Sequence, residues 1–523
     1  MRPESRAGPG AGAGRDRVTG HMMTDRQGGL FRRVVKGGFW VFAFSGSQEI
    51  IAIARLVILA RLLSPNDFGL AGMAILALAT LDALTQMGFD VALIQKKDDA
   101  RTYLDTAWTV GVLRGGAIFV VLLGAAPYVA GFFRSPEVTN LVRVIGFSIL
   151  AQSFANIGVV YFRKELEFRK QFLWQFSGRL ADFCVAVAVA FTLRNVWALV
   201  LAFVAGDAAK LLLSYLLHPY RPRLRIEMKR ARELFRFGKW MWGSSVLVLL
   251  LTQIDNGVVG RVIGAATLGL YQLARRIANL PASEIAHVIS NVTFPAYAKL
   301  QDRPEALRGA YRMVLEVTAL VTLPVAGALA VLAPEITVTF FGDKWLPAAG
   351  AIRLLAVWGV LNALFSTAGQ VLLAVGMPRS LSTYQLIQVI TMAVLVYPMS
   401  ANWGITGTSL AVALAAILPC WLALRRVEIE TAGERSHLAR SIAVPTAGAA
   451  FAAVAVVALK RAGILAPTAT GLALALPLYA LAYVILVGLA GPRLGYQAVP
   501  VLREVISAAR ARQEGAEEAP RST

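Results

Sequence analysis

The sequence predicts an all-α integral membrane protein of about fourteen transmembrane helices, arranged as two pseudo-symmetric six-helix lobes followed by two further helices. Three observations predict this fold class: fourteen long apolar segments, an alternation of basic and almost charge-free loops, and an internal repeat about 200 residues long. Hydrophobic residues make up 57% of the 523 residues, which is above the range of soluble domains.

Each apolar segment is near or above the roughly 20 residues that a helix needs to cross a hydrocarbon core. Backbone amides cannot stay unpaired in lipid, so these segments must be helical. In chain order the predicted spans are Phe39–Ala60, Leu70–Ile94, Leu104–Phe133, Leu141–Phe162, Phe172–Leu193, Val196–Leu217, Trp240–Gly260, Leu268–Tyr297, Met313–Ala333, Leu346–Val375, Leu381–Met399, Gly404–Leu424, Ser441–Leu459 and Ala469–Ala490.

The basic residues outside the spans fall almost entirely on one side. Of the 52 Lys and Arg residues, 37 lie in the termini and in every second loop, and 7 lie in the opposite loops. Because basic loops stay in the cytoplasm, this split predicts that both termini are cytoplasmic. One helix more or fewer would destroy the alternation, which supports the count of fourteen.

The regions outside the lobes differ in composition. Residues 1–30 are rich in Gly, Ala and Arg and are predicted to be a disordered cytoplasmic N-terminus, with Met1, Met22 and Met23 all open as the true start. Residues 31–218 would form the N-lobe, 219–239 a basic cytoplasmic connector with an amphipathic helix, and 240–424 the C-lobe. Helices 13 and 14 occupy 425–490, and 491–523 form a cytoplasmic tail.

The net charge of +21 is explained by this topology, because anionic lipid head groups attract basic residues at the inner face. We therefore do not expect a nucleic-acid partner. The two cysteines, Cys184 and Cys420, lie in apolar spans without a CxxC or histidine neighbour, so they are predicted to be small buried hydrophobes and not metal ligands or a disulfide. No metal or organic cofactor is expected.

The chain repeats itself at a spacing of 200 residues. The identities bracket helices 1 and 7, the turns that follow them, and the starts of helices 2 and 8: Trp40 and Trp240, Arg61 and Arg261, Gly69 and Gly269, Leu70 and Leu270, and Ala74 and Ala274. Six helices separate the copies, so both have the same orientation in the membrane. The pattern indicates a parallel repeat about an axis along the membrane normal.

Two stretches carry a resemblance to a known family. The run Leu59-Ala60-Arg61-Leu62-Leu63-Ser64-Pro65-Asn66-Asp67-Phe68-Gly69-Leu70 resembles the first outer turn of the polysaccharide transporter (Wzx-type flippase) family, a branch of the multidrug/oligosaccharidyl-lipid/polysaccharide exporter superfamily. The segment from Leu268-Gly269-Leu270-Tyr271 through Asn279-Leu280-Pro281 to Phe294-Pro295-Ala296 is similar to that family's helix 8.

The resemblance implies two lobes in a V that open alternately to the two faces of the bacterial inner membrane. It also implies a cargo, polyprenyl-pyrophosphate-linked oligosaccharide repeat units for O-antigen, capsule or exopolysaccharide. A polysaccharide polymerase and an initiating glycosyltransferase are partners implied by the resemblance alone. Since two lobes can supply a complete pathway, a monomer would suffice.

Ionisable residues within spans are costly in lipid and are therefore candidates for function. On helix 8, polar side chains recur at steps of three and four residues and share one face, with Arg275 and Glu284 beside it; they are Arg276, Asn279, Ser283, His287 and Asn291. This face predicts a cargo or ion pathway, and a structural network between helices is the alternative. Polar stripes on helix 10 (Asn362, Ser366, Gln370) and helix 11 (Tyr384, Gln388, Thr391) could contact sugar or mediate helix packing.

Helices 1 and 7 carry opposite charges at equivalent positions of the repeat, Arg55 and Asp255. We hypothesise that the two attract each other in one state of the transporter and separate in the other. The alternative is that each charge pairs within its own lobe. Arg179 with Asp182, and Asp207 with Lys210, stand three residues apart on single helices and are interpreted as internally neutralised pairs.

Arginine binds phosphate oxygens bidentately and stays charged when buried, so Arg55, Arg114, Arg275 and Arg276 are the candidate contacts of a pyrophosphate. No phosphate-binding GxxxxGK[ST] loop is present, which favours an ion gradient as energy source, although passive equilibration is also open. The carboxylates that could bind the coupling ion, H⁺ or Na⁺, are Glu49, Asp82, Asp90, Asp255 and Glu284, with His287 as a further group.

Three other functions fit the sequence less well. A membrane glycan polymerase or glycosyltransferase needs a large outer loop, and the longest one, about Pro334 to Trp345, is short; an enzyme is therefore not expected. A multidrug/cation antiporter usually has twelve helices and a cationic cargo. A peptidoglycan-precursor flippase has fourteen helices, but the outer-turn motif is more similar to the polysaccharide branch.

Overall fold

A computed structural model describes residues 46–86, 88, 93, 101–165, 167–431, 435–465, 468–493 and 496, and within these residues it contains helices and no strand. The helices are α1 (46–62), α2 (Pro65–Thr85), α3 (Arg101–Phe133), α4 (Val138–Phe154), α5 (Val160–Lys164), α6 (Phe168–Leu193), α7 (Trp197–Leu217), α8 (Met228–Val262), α9 (Ala265–Leu300), α10 (Pro304–Phe341), α11 (Ala349–Ala374), α12 (Pro378–Glu430), α13 (Arg435–Arg461) and α14 (Ala469–Arg493). Short 3₁₀ turns, Ile157–Val159 and Asp343–Ala348, precede α5 and α11.

The described residues contain ten helices long and apolar enough to cross a membrane, or eleven if the bent pair Val138–Phe154 and Ile157–Lys164 forms one span. That pair bends by 67°, where the sequence predicted one straight span. Predicted spans 11 and 12 lie within α12, which has a non-helical backbone (φ 59°) at Gly404. The all-α membrane fold is confirmed, and the count of fourteen stays a prediction.

Ser64, Pro65 and Asp67 start helix α2 through a capping box. The Ser64 backbone N–H donates to Asp67 Oδ2 over 2.9 Å, and the Asp67 N–H donates to Ser64 Oγ over 3.3 Å. Pro65 occupies the first helical position, where its missing N–H costs nothing. This reciprocal capping box holds the turn between α1 and α2 in one conformation.

The N-lobe (α1–α7) and the C-lobe (α8–α12) meet where α2 crosses α9. A Cβ atom added to Gly69 would lie 1.7 Å from the carbonyl oxygen of Ala265, and one added to Gly269 would lie 1.9 Å from that of Pro65. Both pairs are equivalent under the spacing of 200. The same position of each lobe therefore contacts the other lobe, as expected for two lobes related by a two-fold axis. This confirms the pseudo-symmetric lobes.

The same end of the bundle has a second reciprocal contact between the lobes. The Arg61 guanidinium donates to the carbonyl oxygen of Phe340 over 2.9 Å, and that of Arg261 donates to the carbonyl oxygen of Phe132 over 2.5 Å. The two acceptors belong to the final turns of α3 and α10. We call this part of the molecule, where α1 meets α2 and α8 meets α9, the Arg61 end; the charge distribution predicts that it faces the periplasm.

The segment after α10 completes this closure. The predicted outer loop from Pro334 is shorter than expected, because α10 continues to Phe341. The Trp345 indole N–H donates to the carbonyl oxygen of Ala60 over 2.8 Å, and Lys344 Nζ donates to that of Arg61 over 2.9 Å. Partial burial lowers the pKa of Lys344. The two lobes are therefore closed against each other at the Arg61 end.

The connector between the lobes is extended up to Glu227 and then enters α8, so its helical part is continuous with the following span. Asp105 and Thr109 of α3 accept the backbone N–H groups of Arg223 and Arg225 over 2.9 and 3.0 Å. Burial and the hydrogen bond to Asp105 raise the pKa of Tyr220. The predicted connector 219–239 thus consists of an extended segment tied to α3 and of the first turns of α8; its amphipathic character stays a prediction.

The last two helices pack on α10 of the C-lobe. Lys460 Nζ lies 2.6 Å from Glu335 Oε1, and Ser441 Oγ donates to Glu316 Oε1 over 3.3 Å. Cys420 is buried as predicted, whereas Cys184 is exposed on α6, which corrects the prediction that both are buried. Cys184 lies on the surface of a span, where lipid in place of water makes an apolar side chain favourable.

Candidate functional site: a cavity between the lobes

A cavity of about 800 Å³ lies between the lobes, lined by α1, α2, α6 and α7 on one side and by α8, α9, α11 and α12 on the other. Its wall combines charged groups, side-chain amides and aromatic rings. The charged groups are Arg55, Arg179, Arg275, Arg276 and Asp182; the amides are Gln253, Asn256, Gln272, Asn279, Asn362, Gln385 and Gln388; the aromatic rings are Phe68, Phe203, Trp358 and Phe365.

Arg55 pairs with Asp182 across α1 and α6, with Nε 2.6 Å from Oδ2 and Nη2 3.2 Å from Oδ1. This corrects the interpretation of Arg179 and Asp182 as an internal pair. The Arg179 Nε instead donates to Gln48 Oε1 over 3.0 Å. Among the described residues, Arg179 forms no direct ion pair, and its exposed guanidinium interacts with Asp182 only at longer range.

Asp255 is completely buried and pairs within the C-lobe. Its Oδ2 accepts from the Tyr271 hydroxyl over 2.5 Å and from the Arg275 guanidinium. Arg275 also donates to the carbonyl oxygen of Thr252 over 3.1 Å, and its guanidinium lies 5.3 Å from the ring centroid of Trp358. The hypothesised Arg55–Asp255 attraction is not formed in this conformation, in which each charge pairs within its own lobe.

One ion pair at the cavity joins the two lobes. Arg276 Nη2 on α9 lies 2.9 Å from Glu49 Oε1 on α1. The Arg276 side chain lines the cavity and is 48% exposed, and that of Glu49, which is outside the lining, is 22% exposed. Glu49, predicted to bind the coupling ion, is therefore the partner of a predicted substrate contact.

Arg114 and Asp82 lie outside the central cavity. Arg114 donates to the Asp82 carboxylate, to the Asp82 carbonyl oxygen over 2.8 Å and to Thr85 Oγ1 over 3.1 Å. Both residues line a second cavity, within the N-lobe. The predicted internal pair of Asp207 and Lys210 is present, with 3.1 Å between Nζ and Oδ1.

Several predicted residues lie outside the described part of the chain. Asp90 is not described, and neither are the side chains of Glu284, His287 and Asn291, although their backbones belong to α9. Of the remaining predicted polar residues, Asn279 and two members of the stripes, Asn362 and Gln388, line the cavity. The predicted roles of all these residues stay predictions.

Two amide oxygens in the cavity wall are left for a ligand. Asn256 Oδ1 and Asn279 Oδ1 are buried and have no hydrogen-bond partner in the described structure. A buried polar atom without a partner costs roughly 1–3 kcal/mol, a penalty that a ligand hydroxyl would remove. Sequence reasoning missed Asn256, and the signal that could have found it is its place beside Asp255 in an otherwise apolar span.

Charge balance limits what the cavity can bind. Three of its four arginines face one carboxylate each, Arg55 with Asp182, Arg275 with Asp255 and Arg276 with Glu49. Arg179 supplies one positive charge beyond these pairs. The wall therefore suits an anionic group near Arg179 and Arg276 and hydroxyl-rich groups along the amides and aromatic rings.

A family model described as "Polysaccharide biosynthesis protein" matches residues 58–350, more than half of the chain. Similar curated proteins include the teichuronic acid biosynthesis protein TuaB of Bacillus subtilis, 26% identical over 66% of this chain and 72% of that protein. The lipopolysaccharide biosynthesis protein WzxC of Escherichia coli is 26% identical over 66% and 70%. The succinoglycan biosynthesis transport protein ExoT of Rhizobium meliloti is 25% identical over 57% and 61%.

Solved structures show the same fold at low identity. The lipid II flippase MurJ in an inward closed conformation superposes with a TM-score of 0.72 at 14% identity, covering 86% of this chain and 98% of that one. An inward-facing multidrug resistance MATE transporter of the MOP superfamily gives a TM-score of 0.57 at 18% identity, covering 74% and 96%. Both consist of the fold that the repeat and the apolar segments predict.

Proposed function

The chain belongs to the polysaccharide biosynthesis protein family, and from that premise we propose that it is a flippase for polyprenyl-pyrophosphate-linked oligosaccharides. It would move repeat units for O-antigen, capsule or exopolysaccharide from the cytoplasmic to the periplasmic leaflet of the inner membrane. The observation that carries the proposal is the central cavity between the two lobes, which combines arginines with amides and aromatic rings.

Arg179 and Arg276 are the arginines best placed to hold the pyrophosphate. Arg179 has no carboxylate partner among the described residues, and Arg276 is half exposed. A guanidinium bonds two phosphate oxygens at once and stays charged in a low-dielectric site. Arg55 and Arg275 have their carboxylates beside them, so in this proposal they position the wall and set its charge.

The glycan would lie along the amide-rich part of the wall. Sugar hydroxyls both donate and accept hydrogen bonds, and Asn256 and Asn279 each offer an unpaired oxygen. The carbon faces of sugar rings pack on aromatic side chains, and Phe365 supplies such a surface. The polymerase and the initiating glycosyltransferase are partners that family membership supports.

The proposal is tested in inverted membrane vesicles from a strain that lacks its own flippase. A radiolabelled lipid-linked oligosaccharide should become protected inside vesicles that contain this protein. Arg179→Gln should reduce the rate about 10-fold or more, because a charge-assisted hydrogen bond is worth about 1.5–3 kcal/mol. Arg353→Gln, an exposed arginine of α11 outside the cavity lining, is the matched control.

Two results would contradict the proposal. Export of a cationic dye together with no movement of lipid-linked glycan would replace the function by a drug antiporter. Movement of the glycan at an unchanged rate in Arg179→Gln would keep the function and remove this residue from the site.

Coupling to a proton or sodium gradient is a further part of the proposal. Glu49 is partly exposed and joins the lobes through Arg276, so binding of a cation to its carboxylate would release α9 from α1. We expect translocation to rise with an imposed gradient in the native protein. Glu49→Gln should translocate at a rate that no gradient changes, and a retained gradient response would exclude Glu49 as the coupling group.

The proposed orientation places both termini in the cytoplasm and the Arg61 end in the periplasm. In a Cys184→Ala/Cys420→Ala background, Asp343→Cys should react with a membrane-impermeant maleimide from the periplasmic side. Arg303→Cys, at the opposite end of α10, should react only after the membrane is opened. Both positions are exposed, so a reversed labelling pattern would invert the topology.

A further inference from the structure

A second cavity, of about 320 Å³, lies within the N-lobe. Its wall comes from the C-terminal part of α2 together with α3, α4, the α5 region and α6, and it includes the ion pair of Asp82 and Arg114. None of the contacts between the lobes at the Arg61 end involves this cavity. This cavity and the central cavity have different lining residues, so the proposed role of the central cavity does not explain it.

The aromatic walls of this cavity offer carbon surface. The indole N–H of Trp108 donates to the carbonyl oxygen of Ala155 over 3.2 Å, and that of Trp174 donates to the carbonyl oxygen of Lys210 over 3.0 Å. Both indole N–H groups are already bonded to main-chain carbonyl oxygens. A ligand could therefore contact only the apolar surface of the two rings. Such surfaces suit flat groups with C–H bonds.

The polar walls offer unused hydrogen-bonding capacity. Gln171 Oε1 is buried without a hydrogen-bond partner in the described structure. Arg114 uses its Nε and Nη2 for Thr85 and Asp82, and its Nη1 has no partner among the described residues. The Asp82 carboxylate neutralises Arg114, so the pair can donate and accept hydrogen bonds. Arg163, also in the lining, is exposed and forms no ion pair among the described residues, so it adds one positive charge to the wall.

This N-lobe cavity is connected by its lining to the central one. A groove of about 360 Å³ between α2 and α8 shares Gln86 with the N-lobe cavity. The same groove shares Val248, Thr252 and Gln253 with the central cavity. The groove therefore adjoins both cavities.

We infer that the N-lobe cavity is a glycan subsite, which binds sugar distal to the pyrophosphate of a lipid-linked oligosaccharide held in the central cavity. This inference rests on the proposed function. Two aromatic surfaces, an unpaired amide oxygen and a neutralised carboxylate–guanidinium pair match the alternating apolar faces and hydroxyls of a sugar. A polyprenyl chain would leave these polar groups unpaired. The single uncompensated charge of the wall, Arg163, would lie beside the sugar.

The size of the cavity agrees with a part of the glycan. Small-molecule sites measure about 300–1,000 Å³, so this cavity stands at the low end and holds a terminal portion of an oligosaccharide. The central cavity and the groove would hold the remaining sugars. The subsite would thus let the transporter distinguish a completed repeat unit from a truncated one.

Gly111 allows the cavity to be filled without disturbing its walls. It lies on α3 in the cavity lining, and a Cβ atom at this position would meet nothing within 4 Å. Gly116 lies on the same helix, also has no atom within 4 Å of an added Cβ, and is not in the lining. Gly111→Phe therefore blocks the cavity, and Gly116→Phe is its matched control.

The variants are compared in the vesicle assay with two probes: the complete lipid-linked oligosaccharide, and the same lipid carrying its first sugar alone. Gly111→Phe should translocate the complete substrate about 10-fold more slowly and the single-sugar lipid at the native rate. Gly116→Phe should match the native protein with both. An equal loss with both probes, or no loss with either, would overturn the inference.

A binding measurement separates this inference from the proposed function. Saturation-transfer NMR of the free oligosaccharide, released from the same lipid, should show contacts at its distal sugar in the native protein and in Gly116→Phe, and none in Gly111→Phe. If the native protein moves no lipid-linked glycan, the proposed function fails. In that case distal-sugar contacts that Gly111→Phe removes would still support a sugar site, and contacts unaffected by Gly111→Phe would refute it.

Discussion

Gly69→Ala and Gly269→Ala will each prevent the lobes from closing at the Arg61 end and will abolish transport. A single methyl group at either position would lie 1.7 or 1.9 Å from a carbonyl oxygen of the opposite lobe. The atom in the way belongs to the backbone of a helix, so no side-chain rotation relieves the overlap. Since alternating access needs closure at each end in turn, a protein that cannot close here has no complete cycle.

Distances between spin labels at positions 66 and 266 measure this closure. Asn66 and Ala266 are exposed, are equivalent in the repeat and flank the crossing of α2 and α9. Each alanine variant should move the distance distribution to longer values. Gly124→Ala, where an added Cβ meets nothing within 4 Å, should keep the native distribution and the native transport rate. A native distribution in Gly69→Ala would show that the crossing tolerates separation.

Arg275→Met will destabilise the protein by about 3–5 kcal/mol, the cost of leaving a buried charge without its partner. The unpaired group would be Asp255, which is 0% exposed and is held by Arg275 and Tyr271. A loss of transport in this single variant would therefore follow from misfolding, and would say nothing about cargo. The same holds for Arg275→Ala.

The double variant Arg275→Met/Asp255→Asn separates the two effects. The amide oxygen that Asp255→Asn introduces could still accept the hydroxyl hydrogen of Tyr271. We therefore expect stability within about 1 kcal/mol of the native protein, since removing both members of a buried pair is often near neutral. We expect transport within about threefold of native, because the donors of Arg275 are directed at Asp255 and Thr252. Chemical denaturation and the vesicle assay measure the two quantities, and a stable double variant with no transport would place Arg275 on the cargo after all.

Variants of Arg276 provide the comparison for the expected stability and the expected transport rate of the Arg275 variants. Its side chain is half exposed and its partner Glu49 is on the opposite lobe. Exposed or partly exposed pairs contribute little to stability, so Arg276→Met should fold normally. The contrast between adjacent arginines on one helix tests whether Arg275 stabilises the wall and whether Arg276 binds the cargo, as we propose.

The fold class and the positions of several site residues were predictable because the membrane imposes simple rules. A helical chain crosses lipid as long apolar helices, so the apolar segments predicted the membrane spans. The basic loops predicted which side of the membrane each loop faces. Lipid also rejects polar side chains, so Arg55, Arg275, Arg276 and Asn279 had to face something other than lipid. The structure places all four at one cavity, and the repeat correctly predicted that two equivalent lobes enclose it.

Tertiary structure was needed to identify the ion-pair partners that lie on different helices. The spacing of Arg179 and Asp182 permits a pair on one helix, yet the approach of α1 brings Arg55 to Asp182 and leaves Arg179 without a direct ion pair. Likewise, equivalence in the repeat suggested Arg55 with Asp255, whereas each is paired within its lobe. Sequence periodicity states which face of a helix a residue occupies, but the distance between helices depends on the packing of all of them together. For the same reason, the bends after Phe154 and at Gly404, and the cavity inside the N-lobe, emerge only from the assembled fold.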